Sequence, residues 1–490
     1  MSDVASGGQN AIAGKGLRKD ALSFVSNVTI ALSSTSPAYS IAATVGPIVG
    51  FAALATPSIM VLAFVPMLFI AVASYHMNRA DPDCGTTFSW VTRAMGPGAG
   101  WMAGWSIIVT NILVMPSLAD ISGRYSFRLL GVAEPSGVEV ALAGVAWIVV
   151  LTVVSYLGIA LSARMQHLLL SAELVILMVF SIAALGQVYL GHPPADSRAV
   201  SWSWFDPFRI GDFSRFTDAM VLAVFIYWGW DSCISVNEES KDPRTAPGQA
   251  AVVSTVILVA IYALVAVAVV SAAGPDLFAQ NGSDVLAPLG QRVLGASLGK
   301  VLVFAVLTSA LASTQTSILP AARMALSMAH AGAIPEHFGG IHPRHLSPGF
   351  ATLTMGLVSI VWYVGMTFIS ADVLTDSITA LGLVIAFYYG LTGFACVVFY
   401  RRELFRSAGN FISMGVLPAA GGAIMFVLLA KSCLAPGDAT TNQISVLGVV
   451  APVIIGVGSV VLGFLLMTLA RIGLPAFFRR RRKVAVPGRS

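Results

Sequence analysis

The sequence predicts an all-α integral membrane protein with twelve transmembrane spans, an inverted repeat of spans 1–5 and 6–10, and mid-membrane breaks in spans 1 and 6. Three observations predict it. Of the 490 residues, 57% are hydrophobic and 10% charged, with a mean hydropathy of +0.83, far from the balance of a soluble domain. Apolar stretches of the roughly 20 residues needed to cross a bilayer recur along nearly the whole chain. Two of them are interrupted at matching places.

The spans fall at 21–48, 51–76, 99–123, 137–158, 163–190, 213–237, 248–273, 296–328, 349–369, 373–400, 411–434 and 445–470. Residues 1–20 then form an N-terminal tail and 21–400 the transport core, as repeats at about 21–190 and 213–400. Residues 401–470 hold two peripheral spans and 471–490 a basic C-terminal tail. The longest connections, 191–212 and 274–295, have room for little beyond a short surface helix. Lys15, Arg18 and Lys19 precede the first span without a cleavage signature, so that span is expected to be its own insertion signal. Both termini are expected in the cytoplasm, because this topology puts most of the 28 Lys and Arg on that side. The run "RRRRK" at 479–483 reads as an anchor at anionic lipid rather than a nucleic-acid site. Cys84, Cys233, Cys396 and Cys433 are scattered, implying no disulfide framework, and His337, His342 and His345 match no zinc spacing. No metal or cofactor is expected.

In "ALSSTSPAYSIA" (31–42), hydroxyl side chains compete for backbone hydrogen bonds and Pro37 removes a donor. A break between Ser33 and Pro37 follows, with Ser36 as candidate N-cap of a half-helix starting at Pro37. In "DAMVLAVFIYWGWDSCISVNEES" (218–240), Gly229 and Asp231 interrupt the apolar run between Tyr227, Trp228 and Trp230. Paired interruptions in the two halves of a transporter mark a solute site at the midplane. Candidate substrate-binding residues are therefore Ser34, Thr35, Ser36 and Ala38 at the first break, and Tyr227, Trp228, Gly229, Trp230 and Asp231 at the second. Asp231 is read either as partner of a solute ammonium or as a helix cap.

Glu173 lies about ten residues into span 5, roughly 15 Å deep at 1.5 Å per residue. An acid at that depth must be paired or protonated and commonly marks a proton or ion path. Glu173 is thus the candidate proton-coupling residue, with Ser309, Ser313 and Thr314 as possible partners and sodium as the alternative ion. Glu238, Glu239 and Arg323, at span ends beside Lys241, Asp242 and Arg244, are candidate cytoplasmic gate residues.

Three segments together resemble the amino acid–polyamine–organocation permeases, which share the five-plus-five inverted-repeat fold of the sodium-coupled leucine transporter. They are "GTTFSWVTRAMGPGAGWMAGW" (85–105), "YWGWDSCISVNEESKDPRTAPGQA" (227–250) and "ARMALSMAHAGAIPEHFGGIHPRHLSPGFA" (322–351). The resemblance implies rocking of spans 1, 2, 6 and 7 against the rest, and a cavity faced by Thr110, Asn111, Tyr388 and Tyr389. It also sets Glu173 where a proton-coupled bacterial member has a lysine in place of sodium. One motif departs: many amino-acid permeases have Gly-Ser-Gly at the first break, where this chain has Thr35-Ser36-Pro37, and Pro37 has no N–H to offer a carboxylate.

The expected function is secondary active import of an amino acid or related amine across the cytoplasmic membrane, coupled to protons. The partners are an amine-bearing small solute and the lipid bilayer, with no nucleic acid. A polyamine or amine permease or exchanger, and a non-transporting solute sensor of the same fold, stay open as alternatives. All seven histidines fall in loops or at span ends, and no catalytic triad is evident, which disfavours an enzyme. Nor does a phosphate-binding G-x-x-x-x-G-K-[ST] loop occur.

Overall fold

In the computed structural model, residues 15–132, 134–190, 193, 196–273, 278, 285–369, 373–434, 445–446 and 449–479 are described. Helix α1 (Phe24–Thr35) opens at Ser23, whose hydroxyl accepts from the Ser26 amide at 3.1 Å and so satisfies one orphan donor. It stops at Ser36, which is left-handed with φ 49° and ψ 67°, because a proline disfavours the α-conformation in the residue before it. Helix α2 (Pro37–Ala52) restarts at once with proline in its first position, where the missing N–H is no loss. A short turn at Ala53–Ala55 leads into α3 (Thr56–Ala80).

The chain continues through α4 (Thr86–Met95), α5 (Pro97–Leu113), α6 (Met115–Leu129), α7 (Gly137–Tyr156) and α8 (Ile159–Leu190). Then follow α9 (Phe213–Ile226), α10 (Ala246–Ala272), α11 (Leu286–His330), α12 (Gly349–Ile369), α13 (Val373–Tyr400), α14 (Leu417–Leu434) and α15 (Ala451–Gly473). Before α15, Ser445–Val446 pairs antiparallel with Val449–Val450.

Lipid and core faces separate cleanly. Val138, Leu142, Val149, Val179 and Leu465 point outward, an apolar exterior that suits lipid and not water. The central stretches Pro97–Leu129 and Gly299–His330 are 89% buried over their most apolar windows, whereas Val453–Gly473 is 17% buried. The last helix is therefore peripheral. α1 sits inside the bundle against α8, α10 and α11.

Ten stretches among the described residues are long and apolar enough to cross a membrane, against twelve expected. The difference has a physical origin. Phe24–Ala80 counts as one stretch although the backbone turns at Ser36 and Ala53, both at positive φ. Span 6, in turn, is α-helical only over Phe213–Ile226.

Two points differ from the sequence reading. Beyond its break, span 6 continues not as a half-helix but as short 3-10 turns at Trp230–Cys233 and Asn237–Glu239. The connection before span 3 folds into α4, which buries Phe88, Trp90, Val91 and Ala94. Span 8 starts where expected: the stretch Leu286–His330 is two helices joined at a non-helical kink, Gly295, whose φ is 79°, and the apolar stretch long enough to span is Gly299–His330. Of the basic run at 479–483, residues 480–483 lie outside the described residues.

Candidate solute and coupling site

The two breaks touch. Gly229, at φ +112°, lies so near the first break that a Cβ there would stand 2.7 Å from the Ser34 carbonyl oxygen. Only glycine tolerates both that conformation and that approach. The Ser34 and Ser232 hydroxyls share a hydrogen bond of 2.7 Å across the contact.

Backbone groups freed by a break cost several kcal/mol each in hydrocarbon unless paired, and at the first break the protein pairs them itself. Ser313 Oγ donates to the Ser34 carbonyl at 3.0 Å and Ser40 Oγ to that of Thr35 at 2.7 Å. The Thr35 hydroxyl donates back to Leu32 O. Ser36 makes no side-chain cap; in its left-handed conformation its hydroxyl donates instead to Ser309 O at 2.7 Å and to Ser33 O at 3.2 Å. The Ala38 amide donates to Glu173 Oε1 at 2.7 Å, and the Tyr39 amide to Ser309 Oγ at 3.1 Å.

Glu173 is fully buried and joins three elements. Its Oε1 accepts from Ala38 at the start of α2 and from Ser309 Oγ of α11 at 2.8 Å, while the residue itself stands on α8. Oε2 has no hydrogen-bond partner among the described residues.

At the second break, the carbonyl of Ile226 accepts from Tyr262 OH. Asp231 caps no helix: its carboxylate accepts from Tyr388 OH at 3.1 Å and Tyr389 OH at 3.0 Å. Trp228 Nε1 donates to Tyr388 OH at 2.6 Å, and Trp230 stacks on Tyr389 at 5.4 Å. Tyr227 turns away, donating to Met60 O and packing on Tyr262. A cavity of about 10 Å³ is lined here by residues that include Asn111, Trp228, Asp231, Ser232, Ser235 and Tyr388, and Pro320 and Met324 of α11. That is near the room of one water. Thr110 is buried with its hydroxyl unpaired among the described residues.

One end of the bundle is sealed by charge. Arg323 Nε meets Glu239 Oε2 at 2.6 Å, with both side chains buried. Glu238 pairs instead with Lys15 at 2.5 Å, and Lys15 also reaches Asp83 at 2.9 Å and Cys84 Sγ at 3.5 Å. Asp83, Cys84 and Glu238 group closely enough for a metal ion, but the Lys15 ammonium already sits among them. Burial alone would lower the Lys15 pKa; the surrounding thiol and carboxylates outweigh it and raise it. Burial raises Asp83 less than Lys15 and Ser327 lower it, leaving it below its usual range. The amides of Ala21 and Leu22 donate to Glu239 O, and Lys241 N donates to Leu22 O, so 15–22 forms a strap over the end of span 6. At the opposite end, a recess of about 490 Å³ opens between Gly46, Gly50, Ala53, Val270 and Arg198. His342 and His345 stack on each other and lie against Tyr156.

Sequence reasoning did not single out Lys15, Asp83, Ser232 or Ser235 as site residues. Lys15 reads as one of several tail charges, and its partner Glu238 is 223 positions away, a pairing that no local pattern reveals.

With two interrupted helices meeting at depth and a polar cavity beside them, the architecture is that of a membrane permease. The amino acid permease family model matches residues 22–470, and the chain belongs to that family. It is 28% identical over 289 residues to an uncharacterized transporter of Mycobacterium tuberculosis, covering 59% of this chain and 61% of that protein. It is 24% identical to the branched-chain amino acid permease BcaP of Lactococcus lactis, covering 60% of this chain and 64% of that one. With the Asc-type amino acid transporter 1 of Mus musculus it shares 26% identity, covering 60% and 55%. The matched part thus spans less than two thirds of these relatives' lengths.

Proposed function

We propose that this chain is a secondary active carrier importing an amino acid or related amine across the cytoplasmic membrane with protons. The carrying observation is the Glu173 carboxylate, held between the Ala38 amide of α2 and the Ser309 hydroxyl of α11. Rocking of the first span against α8 and α11 must break or remake those bonds. A proton on Glu173 weakens it as acceptor for both donors, so loading and unloading that proton biases the two arrangements. The family match and the named relatives support amino acid transport.

The Lys15 end is assigned to the cytoplasm, which makes Glu238, Glu239, Arg323, Lys15 and Asp83 the inner gate, closed in this conformation. Sodium is the alternative coupling ion.

The test is uptake in proteoliposomes under separate proton and sodium gradients. Glu173→Gln should abolish accumulation driven by a pH gradient while preserving counterflow, which needs no net driving force. Full retention of the proton-gradient response by the Gln variant would show that Glu173 is not the coupling group.

A further inference from the structure

We infer that the solute is a primary amine carrying no α-carboxylate, a cation and not a zwitterion; this rests on the carrier reading above and narrows it. A zwitterionic amino acid needs two seats of opposite sign, and the broken first span offers only one natural seat for its carboxylate, the free amides opening a half-helix. Here they are taken. Pro37 has no N–H, Ala38 donates to Glu173, Tyr39 donates to Ser309 Oγ, and Ser40 donates to Ser36 O at 2.8 Å. The Ser36 amide is bonded to Leu32 O. A carboxylate arriving at this point would meet another carboxylate already in place.

The cavity wall has the opposite preference. Among the described residues, the side chains that donate to Asp231 are two tyrosine hydroxyls, neutral donors that do not cancel its charge. The ion pairs seen include those of Asp81, Asp83, Asp120, Asp196, Glu238 and Glu239, and none among the described residues falls on Asp231. No Lys, Arg or His among the described residues lines the cavity. Asn111 gives one Nδ2–H to Ile107 O, and its carbonyl oxygen stays available as an acceptor beside the second N–H. The indole of Trp228 adds an aromatic wall of the sort that attracts cations. An uncompensated acid at membrane depth with acceptor and aromatic neighbours calls for an ammonium group.

The test uses the full-length protein and matched pairs differing only in the α-carboxylate: phenylethylamine and phenylalanine, isopentylamine and leucine, putrescine and ornithine, agmatine and arginine. Thermal shift reports binding, and counterflow in liposomes reports carriage. At least one amine is expected to bind tenfold or more tightly than its parent amino acid. An amino acid binding as tightly as its amine, or no binding by any pair, overturns the proposal. An amine that binds without counterflow supports the solute class and defeats the carrier reading; an amino acid exchanged while its amine is not defeats the solute class alone. Asp231→Asn should weaken amine binding tenfold or more. Glu173→Ala, which frees the Ala38 amide, should narrow the preference for the amine, and a preference unchanged in both variants overturns the seats assigned here.

Discussion

Gly229 shows how one position can hold two helices in register. Its φ of +112° is a conformation that side chains rarely adopt, and the first break lies where a Cβ would go. Gly229→Ala should therefore cost backbone strain of about 1–3 kcal/mol plus displacement of the Ser34 carbonyl, which is itself hydrogen-bonded to Ser313. Gly211→Ala is the control: φ is +68° but no described residue lies within 4 Å of the added Cβ, so strain alone operates, at about 1 kcal/mol. Melting temperatures of the two variants, measured side by side, separate contact from strain. Equal losses would mean that the contact between the breaks contributes nothing.

The strap at 15–22 and the loop after α3 act together on the sealed end. Cys84 is fully buried beneath Lys15, whereas Cys433 is exposed. In a Cys433→Ser background, Lys15→Ala should speed maleimide labelling of Cys84 severalfold, because two carboxylates lose their shared cation and the strap loses its anchor. An unchanged labelling rate would show that Lys15 does not hold this end closed. In the same loop, burial pushes Asp81 from 3.8 up to about 6, against the pull of Arg93, with which it pairs at 2.8 Å. A carboxyl whose pKa is higher folded than unfolded binds more protons in the folded state, so its contribution to stability falls as pH rises from about 4 to about 6. Asp81→Asn should flatten that part of the melting profile. A profile of wild-type steepness would exclude Asp81 as its source.

For the bundle entire, the apolar composition dictated a membrane protein, since lipid leaves a helical chain no alternative to satisfying its backbone internally. Pro37 and Gly229 marked the breaks, because the lost N–H and the glycine's freedom act locally and can be read from neighbours. Glu173 was legible as an acid at depth for the same reason: the cost of burying charge depends on its position along an apolar run. Only the tertiary structure decided where the freed groups go. Glu173 and Ser309 lie 136 positions apart, and Lys15 and Glu238 lie 223 apart; such partners are chosen by packing, which brings together side chains whose sequence spacing carries no trace of the contact. The same holds for span 6 beyond Gly229, where an apolar pattern suggested helix. There a close approach to Ser34 and hydrogen bonds from α13 to Asp231 hold the chain in short turns, because tertiary contacts outweigh local helical preference.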